Sequence, residues 1–371
     1  MNKLNILHVT APDKFPTGGP RTIIDLISSL PSSRFNSIII YPSGEFADKL
    51  SKYARVSTHT LKKTPNLKNL LHIFKLLKEN KKSIIHIHNS KMLWITPIIR
   101  LFKKNKIIYT EHVLTKQYNP PSKILWILFK IRFKLFIHFV HQVICVSEAV
   151  KDCLLDIFHL PQNKLTVVTN GISLPRRVVH HSNKSSYNIT TIGALNWVKN
   201  YNDMINIVEL TVKKSKSPTF QLNIIGDGKE RKNIENLIKN KKLEKYVNLK
   251  GHLLSLDEIH EQLYLSDLYI QTSFTESFGL GILEAMAYGV PVIAYDTGAI
   301  PELLDKQTGV LIPFNKNEKV RTKIFADKIV ELIQDNKLRN SLGKNGVAKS
   351  KNFSIEKTTK KYIEVVESII S

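Results

Sequence analysis

Apolar residues along this chain fall in short unbroken runs rather than in strict alternation. Runs at 4–10, 37–41, 83–88, 106–110, 142–146 and 165–169 are rich in Ile and Val, with longer segments of helical character between them. Strands buried on both faces of a parallel sheet have this pattern, whereas a strand with one wet face alternates. Strand–helix alternation implies βαβ units. A polar, basic stretch at 173–187 interrupts the pattern, which resumes at 189–192, 221–225, 246–250, 268–271, 290–295 and 310–312. The reading is an α/β protein of two Rossmann-like, doubly wound domains facing a cleft. The first spans 1–172, 173–187 is the linker, and the second spans 188–353. In 354–371, Ile355, Thr358, Tyr362, Val365, Val366 and Ile369 share one helical face. That helix is expected to pack back on the first domain.

The length of 371 residues suits two domains of about 150 residues or more. Charge changes the picture more than composition does. The chain carries +24, and 1–170 holds 26 basic against 9 acidic residues. Such asymmetry points to an anionic partner: nucleic acid, a membrane surface or a polyanionic substrate. Two cysteines, Cys145 and Cys153, exclude a disulfide scaffold and a four-cysteine zinc site, and point to the cytosol. The apolar stretch at the start is too short for a signal peptide. No run of 18 residues lacks charge, so no spanning helix is expected.

The chemistry concentrates in Ser273-Phe-Thr-Glu-Ser-Phe-Gly-Leu-Gly-Ile-Leu-Glu284. A strand ends before it, and a helix is expected from 279 to 288, stopped by Gly289. Free N–H groups at a helix start bind anions such as a diphosphate. Eight residues at helical rise would separate Glu276 from Glu284 by roughly 12 Å. That span suits the two ends of a nucleotide-sugar. Taken alone, the pair reads as an N-terminal cap at Glu276 and a solvated helix residue at Glu284.

The wider context decides between these. Glu276-Ser-Phe-Gly-Leu…Glu284-Ala-Met-Ala, followed by Gly289 and Pro291-Val292, resembles the donor-site motif of retaining glycosyltransferases of family 4, which have the GT-B fold. Asp267, Thr297–Glu302 and Thr308–Pro313 fit the same pattern. The resemblance is strong over 188–313 and looser before it. It implies that Glu276 contacts the transferred sugar and Glu284 the nucleotide ribose. It also implies that Phe278, Gly279 and Leu280 line the donor site, with backbone groups at Gly279 and Leu280 meeting sugar and diphosphate. Gly193-Ala-Leu-Asn-Trp-Val-Lys199 resembles the family's loop whose Lys neutralises the leaving diphosphate. Ala194 stands where the family has Arg, which removes a bidentate phosphate ligand. Gly18-Gly19, before Pro20, resembles the family's glycine pair at the donor diphosphate. Thr110-Glu-His112 resembles its catalytic-face His, so His112 is implied at the donor sugar or transition state. His86 and His88 face one way by strand period, as sheet packing and cleft lining.

The resemblance implies a retaining, same-face substitution with no metal and no cofactor. The nucleotide-sugar, UDP- or GDP-linked, is a substrate. No D-x-D motif occurs, which fits. The expected acceptor is a glycan or lipid-linked glycan of cell-surface polysaccharide or lipopolysaccharide assembly. In 122–140, Lys123, Trp126, Lys130, Arg132 and Lys134 sit within an apolar stretch. Mid-segment charges argue against a span and suit an interfacial helix on anionic lipid, at the cytoplasmic face of the inner membrane. A buried domain helix with solvated cations is the plain alternative. Two other classes compete with the transferase. An NAD-dependent oxidoreductase lacks its G-x-G-x-x-G, and a non-enzymatic basic membrane- or nucleic-acid-binding protein lacks a recognised motif. No nucleic-acid partner is expected, and no feature sets an oligomeric state.

Overall fold

The computed structural model describes residues 3–10, 18–41, 48, 51–58, 67–114, 122–214, 219–253 and 255–370. The chain divides into unit 1, Met1–Gly171 with Ile355–Ser371, and unit 2, Ile172–Ser354. Each is built on one parallel sheet.

The sheet of unit 1 contains β1 (Leu4–Val9), β2 (Phe35–Tyr41), β3 (Arg55–Thr58), β4 (Ile84–Ile87), β5 (Lys106–Glu111), β6 (Gln142–Cys145) and β7 (Leu165–Val167). Their order is β3-β2-β1-β4-β5-β6-β7. The helices around it are α1 (Gly18–Ser29), α2 (Leu67–Glu79), α3 (Thr96–Arg100), α4 (Lys123–Ile137) and α5 (Glu148–Phe158). Six of the seven strands are the apolar runs. The seventh, β3, corrects the sequence reading. Arg-Val-Ser-Thr is short and polar, and it sits at the sheet edge where one flank needs no apolar cover.

Unit 2 repeats the plan with β8 (Ser186–Ile192), β9 (Thr219–Ile225), β10 (Val247–Gly251), β11 (Leu268–Gln271), β12 (Val292–Asp296) and β13 (Val310–Pro313), in order β10-β9-β8-β11-β12-β13. Its helices are α6 (Tyr201–Lys214), α7 (Arg231–Asn240), α8 (Leu256–Tyr264), α9 (Leu280–Ala287), α10 (Ile300–Leu303), α11 (Glu318–Gln334) and α12 (Asn336–Ser350). The polar stretch that begins this unit is fastened to it. Nε2 of buried His181 lies 2.9 Å from the Gly289 carbonyl, and the Lys184 ammonium binds Asp267 at 2.6 Å. The last helix, α13 (Ile355–Ile370), belongs to unit 1. Its Tyr362, Val365 and Val366 join Ile6, Ile84, Ile108 and Ile144 in one apolar cluster.

In both sheets the strand order reverses beside the first strand, between β1 and β4 and between β8 and β11. Ligands of doubly wound sheets bind at the carboxyl ends of strands at this point. The strand ends there carry His8 and His88 in unit 1, and Gly193 and Gln271 in unit 2.

β5 ends in a buried carboxyl group. Tyr109, two residues earlier and on the same side, donates its hydroxyl to Glu111 Oε2 at 2.7 Å, and the Val113 amide donates to Oε1 at 3.1 Å. Burial outweighs these bonds and pushes the Glu111 carboxyl up to about 7. The folded chain therefore holds a proton that the unfolded chain releases near the ordinary glutamate range. Stability falls as pH rises through that interval, by about 1.4 kcal/mol per unit, and the loss is complete above the folded value. Glu111→Gln removes this dependence. The variant should gain in Tm relative to the native chain between pH 5 and pH 8; an equal Tm difference at both values would refute the assignment.

Candidate functional site

The site in unit 2 is assembled from two loops at the β8–β11 switch point. After β8 the chain makes a single 3₁₀ turn, Trp197–Lys199, capped by Asn196, whose side chain accepts from the Lys199 amide at 3.3 Å. After β11 it runs through Ser273 to Glu276. The loops are tied to each other: the Phe274 amide donates to the Val198 carbonyl at 2.8 Å, and the Thr272 hydroxyl donates to the carbonyls of Lys199 and Asn200, both at 3.1 Å.

Between them lies a convergence of donors on one oxygen. Glu276 Oε1 accepts from Lys199 Nζ at 2.6 Å, Ser273 Oγ at 2.7 Å and Gln271 Nε2 at 2.9 Å. Gln271 is oriented by Tyr269, whose hydroxyl donates to its Oε1 at 3.0 Å. Strand period puts Tyr269, Gln271 and Ser273 on one side. Glu276 is buried, and Lys199 is half-buried. The backbone behind Glu276 is fixed as well. Its carbonyl accepts from the Ala299 amide at 2.8 Å, and Gly298, at φ +58°, passes so close that a Cβ there would lie 2.3 Å from that carbonyl oxygen. Only glycine fits this approach.

Helix α9 begins after Gly279, which has φ +98°. This left-handed residue breaks the helix from the Glu276 loop. The roughly 12 Å separation, drawn for eight helical residues, therefore holds only from Leu280 onward. The first-turn N–H groups of α9 start at Leu280, where a helix has donors to offer an anion. Glu284 is buried one turn in, which excludes the solvated-residue reading. Phe278 differs from expectation: its ring is buried and packs edge-on against Phe353, with centroids 5.9 Å apart. Only its backbone is left for a ligand. Ala194 is half-buried in the loop that leads from β8 to the Lys199 turn.

Unit 1 carries the other expected residues. Gly18 and Gly19 form the first turn of α1, followed by Pro20, a position where a missing N–H costs nothing. Thr17 lies outside the described residues. His112 follows β5 and joins a cluster of imidazoles. His8 Nδ1 lies 3.1 Å from His88 Nε2, and His88 Nδ1 lies 3.5 Å from His112 Nε2. His86 stands against His88 with ring centroids 3.8 Å apart; its Nε2 meets the Thr110 hydroxyl at 2.7 Å and its Nδ1 the Tyr362 hydroxyl at 3.0 Å. A small cavity of about 40 Å³ is lined by His86, His88, His112, Thr110 and Tyr362, among others. Burial lowers His8 to about 3 and His112 to about 4, and lowers His86 and His88 well below the usual range, helped by their neighbours. All four rings are neutral at physiological pH. Sequence reading missed His8, which lies on a different strand from its partners. The signal is the β1–β4 register, which pairs His8 with His86. His8, His86 and His88 bring three ligand-type nitrogens within 4.8 Å of one another. Of the six nitrogens on these three rings, five meet another imidazole or a hydroxyl, and His8 Nε2 has no partner among the described residues.

Helix α4 is not a buried domain helix. Ser122 caps it, and only Phe133 and Ile137 are buried. Ile124, Leu125, Ile127, Leu128, Ile131 and Leu135 are 49–70 % exposed. Lys123, Arg132 and Lys134 are exposed among them, and Lys130 lies over the Trp126 ring at 5.8 Å. Among the described residues no helix is long and apolar enough to cross a membrane.

Comparison with known proteins agrees with this architecture. Residues 175–349 match the model of the Glycosyl transferases group 1, and residues 16–176 match that of Glycosyltransferase Family 4. A Klebsiella pneumoniae protein known as an uncharacterized 41.2 kDa protein in the cps region is 27% identical over 339 residues, covering 85% of this chain and 88% of its own. The Escherichia coli UDP-Gal:alpha-D-GlcNAc-diphosphoundecaprenol alpha-1,3-galactosyltransferase is 24% identical, over 98% of both chains. Anabaena Alr3699/HepE, solved in complex with UDP and glucose, superposes with a TM-score of 0.81 at 18% identity, covering 98% of this chain and all of its own. The chain belongs to the group 1 glycosyl transferases of glycosyltransferase family 4 and has the GT-B fold, two Rossmann-like units.

Proposed function

We propose that this glycosyltransferase is a retaining, metal-independent hexosyltransferase. It takes a sugar from a UDP- or GDP-linked donor and passes it to a glycan or lipid-linked glycan of a cell-surface polysaccharide. The observation that carries this reading is the Lys199–Glu276 pair, held by Gln271 and Ser273 beside the start of α9. A cation and a row of backbone N–H groups suit a diphosphate, and a fixed carboxylate suits sugar hydroxyls. The relatives support the same direction. One is named for transfer from UDP-Gal to a diphosphoundecaprenol-linked sugar, one as an amylovoran biosynthesis glycosyltransferase, and one neighbour was solved with UDP and glucose.

In the proposed reaction the bond from C1 to the diphosphate oxygen breaks and the acceptor oxygen bonds C1 on the same face. The acceptor proton passes to a departing phosphate oxygen. The transition state is oxocarbenium-like, so the protein's work is charge stabilisation and alignment. Within unit 2, Lys199 and the α9 N–H groups take the diphosphate charge; within unit 1, the Gly18-Gly19 turn and His112 are the residues proposed to meet the donor. Glu276 holds the sugar, and Glu284 holds the ribose. With Ala194 at the family's Arg position, Lys199 carries a larger share of that charge.

A nucleotide-sugar that binds only the folded chain raises its apparent stability by about 2.7 kcal/mol at a hundredfold excess over Kd. Thermal shift against UDP-, GDP- and ADP-sugars should therefore single out one nucleotide class, and Glu284→Ala should lose the shift. No shift with any donor would remove the reading.

Six exposed apolar side chains interleaved with Lys and Arg suit the headgroup region of an anionic bilayer. The proposed location is the cytoplasmic face of the inner membrane, bound through α4. The protein should co-float with anionic vesicles at moderate salt, and Leu128→Glu with Ile131→Glu should abolish this while leaving the melting temperature unchanged. A native protein that stays at the bottom of the gradient would refute it.

A further inference from the structure

We infer that His88, backed by His8, fixes His112 as its Nδ1–H tautomer, which makes His112 a hydrogen-bond donor and not a base. This rests on the proposed reading that His112 faces the transferred sugar.

The geometry allows two arrangements. Each neutral imidazole has one N–H, and each of the two contacts, 3.1 Å between His8 and His88 and 3.5 Å between His88 and His112, holds one proton. In one direction His8 Nδ1–H donates to His88 Nε2, His88 Nδ1–H donates to His112 Nε2, and His112 keeps its proton on Nδ1. In the other, every proton sits on Nε2, and the chain ends in a His8 Nε2–H. That nitrogen is fully buried and has no hydrogen-bond partner among the described residues. A buried N–H without an acceptor costs about 1–3 kcal/mol and is rarer than a bare acceptor. The first direction leaves only a lone pair there. The other nitrogens offer no escape. His86, which stacks on His88, spends both of its own on Thr110 and Tyr362. Burial keeps the rings neutral, so no extra proton enters the chain.

His112 Nε2 is thus an occupied acceptor, and Nδ1–H is the atom left for substrate. A donor at that position steadies a sugar oxygen and does not compete for the acceptor's proton, which passes to the leaving phosphate. His88 and His8 are positioning residues, acting through His112.

The test is long-range ¹H–¹⁵N NMR of the full chain labelled at histidine, at pH 7, with signals assigned by single His→Gln variants. His8, His88 and His112 should each show a protonated Nδ1 and a bare Nε2. His88→Leu should release His112 to a mixture of tautomers and lower kcat for nucleoside diphosphate release at least tenfold with little change in donor KM. His88→Asn, whose amide N–H can stand in for Nδ1–H, should restore much of both. Protonated Nε2 at His112, or a His112 pattern indifferent to His88→Leu, would overturn the inference. So would stoichiometric Zn²⁺ that shifts all three sets of signals, since the cluster would then be a metal site. Should His88→Leu fail to fold, the native tautomers decide alone. The NMR readout needs no turnover, so a failed donor assay would remove the proposed function without touching it.

Discussion

A single carboxylate oxygen organises unit 2. Glu276 Oε1 accepts hydrogen bonds from an ammonium, a hydroxyl and an amide at once. A buried carboxylate needs such partners, because desolvation otherwise outweighs any local gain. Meeting that need fixes the rest: Gln271 must end β11 facing inward, Ser273 must follow two residues on, and the β8 turn must bring Lys199 over the loop. Gly298 then has to be glycine, because the backbone that carries Glu276 leaves no room for a Cβ.

The pair is also a device with two possible partners. Lys199 is one-fifth exposed along its side chain and reaches the carboxylate from the open side. On the proposed reading a donor diphosphate competes for the same ammonium, with the α9 N–H groups adding to its attraction. Glu276 keeps Gln271 and Ser273 whichever partner Lys199 takes, so the carboxylate remains in place for a sugar. Unit 1 solves a comparable problem differently. Its imidazoles satisfy one another and stay neutral, and the end of their chain carries a usable donor.

Much of this was legible in the sequence because it is local. Glu276, Gly279 and Glu284 sit within nine residues, and Lys199 lies in a short loop of its own, so spacing alone exposes them. Twelve of the thirteen strands fall on segments that the hydrophobic pattern marks out. The rest depends on what lies across the sheet. His8 is 80 residues from His88, and only the β1–β4 register puts them together. Arg55–Thr58 is a strand because β2 offers it an edge, not because its side chains demand burial. Phe278 looks like a ligand contact by position, but the apolar ring finds Phe353. The stretch at 123–137 has apolar residues all round with four cations among them, so hydropathy alone does not tell a buried helix from one with bare flanks. The exposure of Ile124, Leu128 and Ile131 settles that.

The central claim is that Lys199 is shared between Glu276 and a donor diphosphate. A double-mutant cycle on nucleoside diphosphate affinity tests it most directly. Lys199→Met should weaken binding at least tenfold. Glu276→Gln should tighten binding when Lys199 is present and do nothing when it is replaced, a coupling of about 1 kcal/mol or more. If the two substitutions act independently, or Lys199→Met leaves affinity unchanged, the diphosphate does not bind at this pair and the account of the site fails.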